Sequence, residues 1–235
     1  MHGTVLPGPR PKRVPIATAG PAVAEGASPQ AYLLLLRFAL LNIVGAAFMA
    51  AAYLNGWIDT VLAADPTRLV VGIAAVFVAG WAICAHKVWK TSRELNAAKQ
   101  PIPPPGSRAA AYMAEVAGRD AGARSIAAST LRFKLSSRVR VVKILADSLV
   151  FLGLIGTVIG FIMALSGVDP ENANDVATVS PMVSGLIEGM SVALYTTLVG
   201  AVLNIWLGAN YQVLTTGTVT LITTIVARGE RHERP

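Results

Sequence analysis

The chain has 235 residues, of which 54% are hydrophobic and only 14% are charged. Soluble domains carry nearer a quarter of charged residues, so this composition excludes an ordinary soluble domain and indicates a membrane protein. A single cysteine, Cys84, excludes an internal disulfide framework. Because the three histidines are scattered, we also expect no zinc site and no other cofactor.

Four apolar stretches are long enough to cross a hydrocarbon core of about 30 Å, which takes roughly 20 helical residues. Three of them cover about 32–54, 69–86 and 148–168. The fourth lies in the uncharged stretch between Glu188 and Arg228, which would measure about 58 Å as a helix. That is too long for one crossing and too short for two with a turn. We predict one span to about Tyr211 that continues as a Thr-rich helix, with a short fifth span as the alternative.

These stretches divide the chain into five predicted parts. They are a disordered segment rich in Pro, Gly and Ala (1–30), a first transmembrane helix pair (31–90), a cytoplasmic loop with helices (91–146), a second transmembrane helix pair (147–212), and a helical extension with a basic tail (213–235).

Within the predicted loop, the prolines of residues 100–107 (QPIPPPGS) break any helix that leaves the second span. Gly118 and Gly122 weaken the middle of the Ala-rich segment that follows. Residues 131–147 then alternate apolar and basic side chains at helical spacing, which predicts an amphipathic continuation of the third span. A docking face for a cytoplasmic partner is the alternative.

The positive charges alternate with the spans. Twelve of the 20 Lys and Arg residues lie between the second and third spans, whereas the connections 55–68 and 169–187 hold only Arg68. Because positive charge favours the cytoplasmic side, we expect the loop and both termini to be cytoplasmic. The excess of Lys and Arg over Asp and Glu therefore indicates membrane topology and lipid contact, and we expect no nucleic-acid partner.

Small residues recur every three or four positions along the third and fourth spans, so they share one helix face. In lipid, small faces let helix backbones approach closely, which predicts a tight helical hairpin or a packed oligomer. The packing residues expected in these ladders are Gly153, Gly156, Gly160, Gly189, Gly200 and Asn204.

Two motifs then resemble a known family. GLIGTVIG at 153–160, an acidic outer loop and LIEGMSVALYTTLVGAVLN at 186–204 resemble the MotA/TolQ/ExbB proton-channel family over about 147–211. The resemblance implies a pentamer of this chain around a dimer of a second subunit, whose single span carries an aspartate. It further implies a bacterial inner membrane, and ion flow that protonates or coordinates that aspartate and so powers mechanical work.

The resemblance also implies an ion pathway. Thr157 and Thr197 would place hydroxyls beside it, and Thr196 would add an oxygen ligand; the alternative is that such threonines bond carbonyls of their own helix. Glu188 is a candidate at the outer side, or else a solvated residue in the first turn of the fourth helix. Asp147, which opens the predicted third span, is expected to cap that helix.

We therefore expect an all-α membrane protein with four crossings that forms the channel of an ion-driven motor complex. We do not expect an enzyme, because the sequence offers no evident nucleophile, base or metal cluster. Two alternatives remain. One is a non-conducting membrane scaffold, and the other is a small pore or transporter that acts without a partner.

Overall fold

The computed structural model describes residues 32–100, 102–167 and 176–232, and every regular element in them is a helix. The elements are α1 (Leu33–Leu54), α2 (Trp57–Ala63), α3 (Leu69–Lys99), α4 (Arg108–Val116), α5 (Ala121–Ser166) and α6 (Val176–His232). The all-α prediction is confirmed. The predicted disordered segment 1–30 lies outside the described residues.

Four of these helices, α1, α3, α5 and α6, are long and apolar enough to cross a membrane. They contain the four predicted spans, so the prediction of four crossings is confirmed. α2 was not predicted: it is a single short helix in the connection between the first two spans. Because α6 runs without interruption to His232, it contains no turn that a separate fifth span would need.

α5 and α6 extend far beyond the membrane. With 46 and 57 residues, they measure about 69 and 86 Å, more than twice the hydrocarbon thickness. α5 begins at Ala121 and includes the whole amphipathic segment 131–147, so this segment is a continuation of the third span. α6 likewise includes the Thr-rich stretch after Tyr211.

The structure corrects the role expected for Asp147. This residue lies in the middle of α5, where no helix end needs a cap, because the amphipathic segment before it is helical. Its carboxylate instead pairs with Lys143, one turn earlier, at 3.1 Å. The charge that marks the edge of the apolar stretch therefore does not mark the end of the helix.

α4 and α5 are separated by the break expected near Gly118. Gly118 has a φ of +68°, a left-handed conformation that glycine adopts at little cost. Asp120 then caps α5, because its side chain accepts a hydrogen bond from the Ala123 amide at 3.3 Å. Gly122 does not break the helix and lies in its first turn.

Two hydrophobic clusters hold the helices together. The first joins α1, α3, α5 and α6 and buries Leu34, Ile73, Phe77, Cys84, Val88, Val139, Val142, Ala146, Leu149, Leu203, Leu207 and Leu214. The second joins the loop-side ends of α3, α4, α5 and α6 and buries Ala98, Ala109, Tyr112, Val116, Ala127, Leu221 and Ile225. The helical extensions therefore pack into a bundle of their own.

Two polar contacts attach the C-terminal end of α6 to this bundle. Arg124 on α5 pairs with Glu230 at 3.9 Å, and the Arg228 guanidinium donates to the Ala98 carbonyl at the end of α3. Burial, and then the nearby carboxylates of Glu230 and Glu115, raise the pKa of Tyr112 on α4. The ion pair thus joins α6 to α5 and the hydrogen bond joins α6 to α3, both well beyond the apolar spans.

Three polar side chains link α1, α3 and α6 within the spans. The Asn42 amide donates to the Asn210 amide oxygen at 2.7 Å, and the Trp81 indole donates to Asn42 at 2.7 Å. The Asn210 amide in turn donates to the Trp206 carbonyl at 2.9 Å, and Asn210 is fully buried. In lipid, such bonds attach a helix that has few other specific contacts.

This polar cluster predicts the effect of Asn210→Leu. The change removes the interhelical acceptor of the Asn42 amide and leaves only the Phe38 carbonyl of its own helix. We therefore expect the free energy of unfolding to fall by about 1 kcal/mol, within the range for bonds between membrane helices. Denaturation of the purified chain in detergent measures this.

Asn204→Leu, two turns earlier on α6, is the matched control. The Asn204 side chain is half-buried and makes no hydrogen bond with any described residue. We expect its effect to stay within about 0.5 kcal/mol. Equal losses for the two variants would contradict a stabilising role for the cluster.

Candidate functional site

The candidate site is the contact between α5 and α6, where the two backbones touch. Gly160 and Gly189 face each other there and are both buried. An ideal Cβ at Gly160 would lie 2.5 Å from the Ala193 nitrogen and 2.5 Å from the Gly189 carbonyl oxygen. Because backbone atoms of a helix cannot move aside, only glycine fits at this position.

A second pair of glycines repeats the contact about two turns further along the hairpin. A Cβ at Gly200 would lie 2.7 Å from the Leu149 carbonyl oxygen, and one at Gly153 would lie 3.2 Å from the Thr196 carbonyl oxygen. All five predicted packing glycines thus lie within the contact between α5 and α6. The backbones of α5 and α6 therefore approach closely at the small residues of the two helices, as the sequence predicted.

Thr196 lies inside this contact. It is fully buried, and its side chain occupies the space over Gly156 that a Cβ on that glycine would fill. The hydroxyl donates to the Val192 carbonyl at 2.8 Å and to the Ala193 carbonyl at 3.2 Å. Within one copy of the chain, Thr196 is therefore a packing residue between the helices rather than a residue on their edge.

Thr197 lies at the edge of the same contact and bonds across it. Its hydroxyl donates to the Gly153 carbonyl oxygen of α5 at 3.2 Å, whereas the residue itself is exposed on the surface of the chain. A hydroxyl oxygen that donates its proton can still accept hydrogen bonds or coordinate a cation. Thr197 thus joins the two helices and presents an oxygen to whatever lies beside them.

Thr157 follows Gly153 by one helical turn on α5 and is half-buried. Its hydroxyl donates to the Leu154 carbonyl of its own helix at 2.6 Å, as the alternative interpretation of membrane threonines anticipates. Thr157 therefore lies one turn along α5 from the Gly153 carbonyl that Thr197 bonds.

Glu188 does not lie in the first turn of the fourth helix, which was the alternative expected from the sequence. α6 begins at Val176, so Glu188 follows the helix start by about 18 Å and does not lie in its first turn. The acidic, base-free composition of 169–187 suggested a connection, but the residues from Val176 onward are helical, even with Pro181 in the second turn. Glu188 is exposed along the side of α6.

Three further residues shape the site or its support and were missed from the sequence. Ala164 is fully buried against the Gly189 backbone; its spacing of four from Gly160 extends the ladder and could have identified it. Asn42 and Asn210 were harder to identify from the sequence. Each is a lone amide within or near an apolar span, and only the fold brings them together.

The fold and this site define a helical membrane protein whose last two spans are joined backbone to backbone through glycines. The sequence model of the MotA/TolQ/ExbB proton channel family matches residues 117–226. This match confirms, over these residues, the resemblance suggested by the two motifs. No curated protein and no solved structure gives a significant match to the chain.

The matched residues extend beyond the segment on which the motifs lie. They include all of α5 and most of α6, and thus also the loop-side halves of both helices. The family match therefore extends beyond residues 147–211, the range over which the two motifs suggested the resemblance. The reason is physical: each helix is a single rigid element from the membrane into the bundle beyond it.

The glycine contact predicts opposite effects for two glycine substitutions. Gly160→Ala places a methyl group against backbone atoms, so we expect the free energy of unfolding in detergent to fall by about 2 kcal/mol, as overpacking typically costs. Gly208→Ala on α6 is the matched control, because no atom lies within 4 Å of its Cβ position.

Alanine has a better helix propensity than glycine by about 1 kcal/mol. Gly208→Ala should therefore be neutral or stabilising in the same denaturation measurement. Similar losses from both substitutions would show that the backbone contact between α5 and α6 does not determine stability.

Proposed function

We propose that this chain is the channel-forming subunit of an ion-driven motor complex in a bacterial inner membrane. In this proposal, five copies surround the single spans of a dimeric partner, and ion flow moves one ring relative to the other. The observation that carries the proposal is Thr197, which bonds across the glycine contact between α5 and α6 and remains exposed beside it.

The surfaces of α5 and α6 support assembly with other spans. Large apolar side chains point away from the single chain next to the two threonines, including Leu154 and Phe161 on α5 and Leu194 on α6, which are 58%, 59% and 68% exposed. Lipid, further copies or a partner's span could cover them. In the proposed ring, the copies and the partner's spans cover this side of the hairpin.

The acid that binds the ion must come from another chain. Between Ser148 and Ser166 on α5, and between Gly189 and Ala227 on α6, the sequence contains no Asp or Glu. The threonine hydroxyls can relay or solvate a cation but cannot hold a full negative charge. A partner aspartate beside Thr197 would supply that charge, and one elementary charge crossing 100 mV releases about 2.3 kcal/mol for mechanical work.

Glu188 would serve at the outer mouth of this path. It is exposed on α6, about two turns before Thr196 and Thr197, on the side of the membrane opposite the long loop. A ring of five such carboxylates would concentrate cations at the entrance. The long loop and both termini would then be cytoplasmic, as the charge asymmetry between the connections favours.

Thr197→Ala tests the proposal in vesicles that contain this chain and the single-span subunit that copurifies with it. With a potential imposed, an internal pH-sensitive dye reports proton uptake. We expect at least a tenfold lower rate, which corresponds to about 1.4 kcal/mol lost from the ion's path. Thr220→Ala is the matched control, because that exposed threonine bonds its own helix beyond the predicted span.

Other outcomes would support the two alternatives. The threonine bonds to the Leu154, Val192 and Gly153 carbonyls could serve packing alone. If Thr197→Ala left both proton uptake and partner-dependent work intact, the chain would be a non-conducting scaffold. Rapid uptake by vesicles that contain this chain without a partner would indicate a self-sufficient pore.

A further inference from the structure

A basic cavity lies among α3, α5 and α6 on the side of the membrane that carries the long loop, away from the threonines and glycines of the candidate site. Its volume is about 150 Å³. Four of its lining residues are lysines or arginines. They are Lys87 and Lys90 on α3, Arg108 at the start of α4, and Arg138 on α5.

Little negative charge offsets these bases. Arg108 pairs with Glu94 at 4.0 Å, whereas Lys87, Lys90 and Arg138 form no ion pair with any described carboxylate. Three uncompensated positive charges around one small cavity repel each other. A bound anion would relieve that repulsion.

The side chain of Thr91 also lines this cavity. Thr91 is only 7% exposed, and among the described residues it makes no hydrogen bond. The Thr91 hydroxyl can donate to an anionic oxygen, in addition to the donors of the surrounding bases.

The cavity lies at the depth of lipid headgroups. The second apolar stretch ends at His86, and Thr91 follows it by five residues, or about 7 Å along α3. The polar layer on each side of a bilayer is about this thick. Val139 on α5 and Leu214 on α6 complete the lining with apolar surface.

The geometry points to this cavity as a binding site for a phosphate group, carried either by an anionic phospholipid headgroup or by a soluble phosphate. The cavity volume of about 150 Å³ leaves room for a phosphate group, which has five heavy atoms. Basic pockets between membrane helices on the cytoplasmic side are known to bind lipid phosphates. A bound phosphate would join α3, α5 and α6 just outside the membrane, and this role does not require ion conduction.

The test uses the purified full chain in an uncharged detergent, with binding of fluorescently labelled phosphatidylglycerol followed by anisotropy. The double variant Lys90→Gln/Arg138→Gln removes two cavity cations, and we expect its dissociation constant to rise at least tenfold. Thr91→Val removes only the hydroxyl, and we expect about a threefold rise.

Arg132→Gln/Arg140→Gln is the matched control, because it removes two exposed charges from α5 that do not line the cavity. We expect less than a twofold change. Helix content and elution volume of each variant show that its fold is intact, so that lost binding reports the cavity itself.

Two competitors distinguish the source of the phosphate. Displacement by millimolar inorganic phosphate identifies a soluble ion as a sufficient occupant, whereas displacement by unlabelled phosphatidylglycerol alone identifies the lipid headgroup. An equal loss of binding in the control double variant would overturn the proposal. Competition by phosphatidylcholine as strong as by phosphatidylglycerol, or the absence of binding, would do the same.

Discussion

The rest of the structure depends on the contact between the backbones of α5 and α6. Gly153, Gly160, Gly189 and Gly200 leave no room for a side chain between the two helices. In lipid, where water does not drive helices together, such close approach is a main source of attraction. It also brings Thr197 within hydrogen-bonding distance of the Gly153 carbonyl, so the same contact builds the hairpin and positions the hydroxyl of this exposed threonine.

The length of α5 and α6 extends this contact into a second folded region. Each helix runs without a break from the spans into the bundle around Tyr112, Leu221 and Ile225. A displacement at the membrane end therefore reaches the bundle through rigid elements rather than through a flexible linker. α1 depends less on apolar packing against this unit and is attached through the amides of Asn42 and Asn210.

Much of this architecture could be predicted because membrane spans leave a strong signal. The length of the apolar stretches predicted the four spans. Small residues at spacings of three and four predicted the faces through which α5 and α6 contact each other. The errors at Asp147 and Glu188 have one cause: a charge marks the edge of an apolar stretch, but the helix continues past it. At Asp147 the charge pairs with Lys143 one turn away, and at Glu188 it lies exposed on the side of α6. The polar cluster at Asn42 could not be predicted, because residues 168 positions apart meet there.

The central claim is that the glycine-joined hairpin assembles into a ring around spans that this chain does not supply. Native mass spectrometry of the complex released from its detergent micelle tests it most directly. The account predicts five copies of the 24.5 kDa chain together with two copies of a smaller subunit. A single copy of the chain that carries only lipid, under conditions that preserve its helices, would contradict it.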